Sequence, residues 1–323
     1  MSEAATATTE ELDKYRRELT GYCYRMLGSS FEAEDAVQDT MVRAWKAIDS
    51  FEGRSSLRSW LYRIATNVCL DALNAGNKRA RPMDLSGPTP VAQAQLVKQP
   101  EITWLEPIPD GRVMPTAGDP AEAALHRETV RLAFVAALQH LAPKQRAVLI
   151  LREVLAWKAA EVAELLDTTV ASVNSALQRA RATIAEQAPA ESDAANPLDE
   201  EQQALLERYV AAFEGYDMQA LTALLHEDAT MTMPPFDLWL QGHENIVGWM
   251  LGVGDVCRGS KLVPTVANGA PAFAHYHPDP EGGYSPWALI VLELRDGKVA
   301  GMDFFLDTPR WFPLFDLPER LDG

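Results

Sequence analysis

Residues 159–185, AAEVAELLDTTVASVNSALQRARATIA, read as two helices joined by a very short turn, and this pairing constrains the chain more than any other stretch. Val162, Ala163, Leu165 and Leu166 give the first helix an apolar face. Asp167, Thr168 and Thr169 supply turn and N-cap oxygens for the next helix's unpaired N–H groups. Val170, Val173, Leu177, Ala180 and Ile184 then recur at helical spacing. The opposite face carries Ser172, Asn174, Ser175, Gln178, Arg179 and Arg181. Short donors and arginines on a helix held at a fixed angle suit docking into a major groove. A solvated helical hairpin has the same pattern, and the decision between the two rests on a second segment far upstream.

That segment lies in a first block from about Glu11 to Arg81 that is expected to be wholly helical. Apolar residues recur through Leu12, Tyr15, Leu19, Tyr22 and Met26 and stop at Gly28. A second helix, EAEDAVQDTMVRAWKAI, follows Ser30, and Ala36, Val37, Met41, Ala44 and Trp45 are its apolar positions. The loop 49–55, DSFEGRS, breaks it. Ser55 or Ser56 caps a third helix, LRSWLYRIATNVCLDALNAG, which buries Leu57, Trp60 or Leu61, Ile64, Val68 and Ala72. From Pro82 to Pro120 eight prolines interrupt any periodicity, which predicts a linker, with the apolar WLEPIP around Trp104 docked rather than free. Helical spacing resumes at Ala121 and continues to about Gln187.

A second linker, APAESDAANP, precedes the last third of the chain. There two amphipathic helices, about 200–214 and 218–225, lead into an apolar, β-rich pattern at 229–233, 261–266, 270–276, 287–294 and 299–306. A further helix is expected near 244–251, and His226 reads as the end of a helix. Asp296-Gly297 is the centre of a hairpin turn. Helices first and a curved antiparallel sheet afterwards predict an α+β unit. The tail TPRWFPLFDLPERLDG carries aromatics in a proline-broken segment, a pattern that docks on another surface, such as the front of the same chain.

Composition matters chiefly through charge. The net charge of −17 looks hostile to a nucleic-acid binder until it is divided. Residues 197–323 hold 20 acidic against 7 basic side chains, whereas residues 1–186 hold 24 against 22. An acidic body is thus attached to a nearly neutral, locally basic front. A 47% apolar content with eight tryptophans argues for folded domains. Cys23, Cys69 and Cys257 show no metal-ligand spacing and read as reduced, buried thiols, so neither metal nor cofactor is expected. The N-terminus has neither the basic region nor the apolar core of a signal peptide, and no apolar run reaches membrane-spanning length, so no membrane partner and a cytoplasmic location are expected.

Taken together, FEAEDAVQDTMVRAW at 31–45, LRSWLYRIATNVCLDAL at 57–73 and LAPKQRAVLILREVLAWKAAEVAELLDTTVASVNSALQRAR at 141–181 resemble the core domains of bacterial RNA polymerase sigma factors of the extracytoplasmic-function group. The last third resembles the SnoaL-like cone-shaped fold found fused to some of them. The fold this implies has two all-α domains, a region two bundle at 11–82 and a region four helix-turn-helix at 121–187. Linkers at 83–120 and 188–199 and an α+β SnoaL-like domain at 200–323 complete it.

The resemblance also implies roles. Asp35, Gln38 and Asp39 would meet the clamp coiled coil of the polymerase core. Opening a promoter needs cations, stacking rings and amide edges, which Arg58, Tyr62, Arg63 and Asn67 offer, although Tyr62 reads equally well as half-buried structure. The loop with Phe51 and Arg54 resembles the family's pocket for a flipped base of the minus-ten element. Thr168, Thr169, Ser172, Ser175, Gln178, Arg179 and Arg181 would read the duplex minus-thirty-five element. Asp167 stands where many such turns have glycine.

In the SnoaL-like domain, His275 and His277 share one strand face, and with Asp303 or His243 they could form a catalytic or metal cluster. Sheet-face polar residues with no third ligand are the simpler account. The function implied is a non-enzymatic promoter-specificity subunit whose partners are core polymerase and promoter DNA, regulated by intramolecular contact with its acidic third domain. The competing reading makes that domain an isomerase- or cyclase-like enzyme, or a small-molecule sensor, on a DNA-binding front end.

Overall fold

The structure is a computed structural model that describes residues 9–53, 55–76, 79–99, 103–114, 120–187 and 199–322. The chain divides into two compact units. One comprises residues 1–79 and 111–189, the other residues 80–110 and 190–323.

The first unit is helical. Its elements are α1 (Thr9–Asp13), α2 (Arg16–Leu27), α3 (Ser30–Ala47), α4 (Leu57–Ala75), α5 (Asp110–Val113, which straddles the division), α6 (Pro120–Val130), α7 (Leu132–Gln139), α8 (Pro143–Leu149), α9 (Ala159–Leu165) and α10 (Val170–Glu186). Hydroxyl caps start the long helices. Ser29 accepts from the Glu32 N–H, Ser56 from Ser59 and Thr169 from Ser172, each at 3.1 Å. Each such cap contributes about 1 kcal/mol. Gly28, at φ +69°, stops α2 as no β-carbon-bearing residue could without strain.

α2, α3 and α4 pack around Leu19, Tyr22, Met26, Leu61, Ala65 and Val68. Two buried arginines join this bundle to the later helices. Arg25 donates to the Gly21 carbonyl at 2.8 Å and to Thr129 Oγ1 at 2.9 Å. Arg146 donates to Gln139 Oε1 at 2.7 Å and to the carbonyl of Met26. A guanidinium is buried only where such acceptors replace its hydration. Burial still lowers both pKa values to about 10.

The second unit adds α11 (Glu200–Glu214), α12 (Met218–Leu224), α13 (His243–Leu251) and α14 (Thr308–Leu314) to a six-stranded sheet. The strands are β1 (Leu225–Thr232), β2 (Trp239–Gln241), β3 (Lys261–Ala267), β4 (Ala270–Pro278), β5 (Tyr284–Arg295) and β6 (Lys298–Phe305), in the order β2-β1-β6-β5-β4-β3. The sheet is mixed rather than wholly antiparallel, because β6 ends the β3–β6 meander alongside β1 and in the same direction. His226 lies in β1 and not at a helix end. α12 stops at Leu224, and the His226 ring instead approaches Asp228 at 2.6 Å. The β5–β6 turn has Asp296 and Gly297 at φ +53° and +66°, as an Asp-Gly hairpin requires.

α11, α12 and α13 bury one sheet face over Tyr209, Phe213, Ile246, Phe273, Ile290 and Phe304. On the other face the C-terminal aromatics are buried within their own unit. Phe312 packs edge-on against Tyr276 at 5.2 Å and Trp311 against Phe305 at 6.0 Å.

The proline-rich stretch divides: residues 80–110 belong to the sheet unit, while the chain from Gly111 belongs to the helical one. Val91 N–H donates to Asn245 Oδ1 at 2.9 Å, and the Trp239 indole donates to the Ser86 carbonyl at 3.0 Å. Asn268, in the left-handed β3–β4 turn at φ +56°, clamps Ile108 twice. Its Oδ1 accepts from Ile108 N–H at 2.9 Å, and its own N–H donates back at 3.0 Å. Glu106, buried, pairs with Arg310 at 2.9 Å. WLEPIP is therefore docked, held by the β3–β4 turn and α14 of the third domain.

Candidate nucleic-acid interface

In the helix-turn-helix, α9 ends at Leu165 and Asp167 takes the left-handed conformation at φ +49°. Thr168 N–H then closes the turn onto the Ala163 carbonyl at 2.9 Å. Val173, Leu177 and Ala180 anchor α10 from beneath. Val170 departs from the sequence pattern: at the first position of the helix it is 44% exposed, since the turn lifts it off the core. Thr168, Thr169, Ser172, Ser175, Gln178, Arg179 and Arg181 are all exposed along α10 and its cap. Arg179 donates to Ser175 Oγ at 2.8 Å, and Arg181 pairs with Glu153 at 2.6 Å.

The expected minus-ten set is split. Phe51 is half-buried, 5.0 Å from Trp60, and the two rings line an open cleft of about 330 Å³ with Glu52, Ser55 and Arg63. Asn67 is exposed on α4, and Arg54 lies outside the described residues. Arg63 is exposed and donates to the Glu164 carbonyl at 2.7 Å. Arg58 is ion-paired with Glu18 at 3.0 Å. Tyr62 departs from the exposed face on which its helical position places it: it is 0% exposed, packed between Tyr22 and Trp157. Burial pushes its phenol far above the ordinary tyrosine range. Arg63 and Tyr62 are thus both engaged by residues later in this unit.

On α3, Asp35 and Gln38 are exposed, and Asp39 pairs with Arg43 at 2.8 Å. Val42 and Trp45 continue the same stripe, 42% and 64% exposed. Trp45 is therefore not a core position. The spacing 35, 38, 42, 45 follows one helix face, a signal readable in the sequence once Trp45 is taken off the core side.

Residues 12–79 match the family described as sigma-70 region 2, residues 131–184 sigma-70 region 4, and residues 206–302 the SnoaL-like domain. The extracytoplasmic-function (ECF) RNA polymerase sigma factor SigG of Mycobacterium tuberculosis is 46% identical over 316 residues, covering 96% of this chain and 83% of SigG. The chain belongs to the extracytoplasmic-function sigma factors. SigJ of the same organism is 28% identical over 323 residues, covering 96% of this chain and 95% of SigJ. The crystal structure of SigJ has the same fold, with a TM-score of 0.61 at 23% identity, covering 96% of this chain and all of the other.

The sigma factor's third domain holds the expected histidine pair. His275 and His277, on β4, have ring centroids 5.0 Å apart, and His277 stacks on Trp287 at 3.8 Å. His275 is 0% exposed. Burial lowers the pKa of His275 far below the usual imidazole range and that of His277 to about 4. Asp303 does not join them. It pairs with Val291 and bonds Thr232 Oγ1 at 2.6 Å, on the sheet face opposite to Phe304 and His275. His243 is turned instead to the carbonyls of Leu225 and His226. The residue that does approach is one that sequence spacing had not linked to the pair, Cys257. Its sulfur and one nitrogen of each ring lie within 4.8 Å of one another.

Proposed function

We propose that this sigma factor binds core RNA polymerase through the α3 stripe of Asp35, Gln38 and Asp39, extended by Val42 and Trp45, and directs it to promoters with two elements. Phe51, Arg54, Arg58, Tyr62, Arg63 and Asn67 serve the minus-ten element. Thr168, Thr169, Ser172, Ser175, Gln178, Arg179 and Arg181 serve the minus-thirty-five element. The functional borders are region two at 11–82, region four at 121–187 and the SnoaL-like domain from 200. The chain carries out no chemistry in this role. Asp303, on the far face from His275, offers the histidines no carboxylate partner for acid–base work.

Regulation is in cis, with the third domain as an intramolecular partner of the sigma domains. The observation that carries this is the capture of Ser86, Val91, Ile108 and Glu106 by Trp239, Asn245, Asn268 and Arg310 respectively. The captured residues belong to the covalent tether between the two DNA-reading halves. A domain that holds the tether sets how far those halves can separate, at the high effective concentration of a linked module. Tyr62 against Trp157 supports a closed resting state that has to open before Tyr62 can stack on a base.

The test is run-off transcription with core polymerase on promoters selected from a random library, comparing the full chain with Arg179→Ala and with Trp45→Ala. Arg179→Ala is expected to weaken initiation at the selected promoters while leaving core binding intact, and Trp45→Ala to weaken core binding itself. Failure of the full chain to bind core polymerase contradicts the reading.

A further inference from the structure

Three separate elements bring soft ligands to one point in the third domain. Cys257 ends the 3₁₀ turn Val253–Cys257, and His275 and His277 project from the same face of β4. The histidines are two residues apart, which a strand turns into neighbours. Cys257 is 7% exposed and its thiol is free. Both ring nitrogens of His275 and Nε2 of His277 are buried and, among the described residues, without a hydrogen-bond partner. Imidazole nitrogens buried this way cost free energy unless something satisfies them. The surrounding rings of Phe213 and Phe304, edge-on to His275, cannot.

We propose that Cys257, His275 and His277 are a three-ligand site for a thiophilic transition-metal cation, Zn²⁺, inside the SnoaL-like domain. One thiolate and two imidazoles are the donors zinc prefers, and three protein ligands leave its fourth position for water or an exogenous donor. Their 4.8 Å spread exceeds the roughly 3.4–3.6 Å that zinc's tetrahedral bond lengths imply. Binding therefore has to draw the three side chains together. When the cation binds, the thiol gives up its proton to solvent and coordinates as the thiolate. His277 reaches the site from its stack on Trp287, itself 40% exposed, which supplies an entry from solvent.

The site is tested on the full chain by competitive Zn²⁺ titration against a chromophoric chelator, and by Co²⁺ substitution read as a thiolate-to-cobalt charge-transfer band. One equivalent of Zn²⁺ per chain, the cobalt band, and one proton released per ion are expected. Cys257→Ser abolishes the band. His277→Phe keeps a flat ring on Trp287 but removes a donor, and lowers affinity by more than the 10–100-fold typical of losing an outer partner. Circular dichroism of the ion-free variants distinguishes ligand loss from unfolding. Wild-type chain that takes up no stoichiometric Zn²⁺, or a folded His277→Phe that binds as tightly as wild type, overturns the proposal.

Discussion

The ring of Tyr62 on α4 lies 5.1 Å from that of Trp157, tilted by 59°, with the Arg58 guanidinium 5.2 Å from one centroid and 5.5 Å from the other. A tyrosine suited to stack on an unpaired base stacks instead on a tryptophan 95 positions later. If Tyr62 serves the minus-ten element as proposed, this contact has to open first, because one ring face cannot serve both partners.

Trp157→Leu shrinks that wall. Truncating a buried aromatic in this way costs on the order of 1–3 kcal/mol, read by urea unfolding. In the folded variant, affinity for a single-stranded minus-ten oligonucleotide is expected to rise, measured by fluorescence anisotropy. An unchanged affinity contradicts that requirement.

Arg146 ties α8 to the end of α2 through Gln139 and the Met26 carbonyl. Arg146→Met removes its charge but strands those acceptors in the core. The expected loss is about 3–5 kcal/mol, as for one partner of a buried polar network, measured by denaturant titration. Tolerance of the change within 0.5 kcal/mol would contradict the latch.

Asp303 gives a pH signature to the third domain. Burial is the main cause that raises its pKa from 3.8 to about 6. The Thr232 hydroxyl and Arg81 oppose the shift, and Glu293 adds to it. The folded state therefore keeps a proton that the unfolded state has already lost. The contribution of Asp303 to stability is full below pH about 4 and is lost as pH rises through 6, by about 2–3 kcal/mol. Calorimetry across this window should show the slope in wild type, and Asp303→Asn should flatten it.

Trp45 and Val42 stand exposed on α3, so their loss leaves the fold nearly untouched. Trp45→Ala is expected to change stability by less than about 0.5 kcal/mol. It should weaken core polymerase binding about tenfold or more, as removal of an aromatic anchor does, read by surface plasmon resonance.

Much of the local architecture was legible because local rules set it. The serine and threonine caps, the stop at Gly28, the positive φ of Asp167 and the Asp296-Gly297 hairpin all depend on neighbours within a few residues. Long-range pairings were not legible. The parallel partnership of β1 with β6 joins residues some seventy positions apart, and no strand pattern announces its direction. Helical periodicity left Tyr62 between a stacking role and half-buried structure, and only the distant Trp157 shows that it is buried. Cys257 lacked any motif spacing to His275, because a turn and two strands carry it there. The proline-rich stretch read correctly as irregular and docked, but its partner became visible only when Asn268 and Asn245 were seen to satisfy its backbone.

The most direct measurement is promoter-specific run-off transcription by the full chain and by Asn245→Ala/Asn268→Ala, which removes the side-chain clamps on Val91 and Ile108 without altering any residue of the helical unit. If the third domain governs the sigma factor by holding that tether, transcription by the released variant changes severalfold at equal core binding. Equal transcription by both, with the tether shown to be released by hydrogen exchange, contradicts regulation in cis.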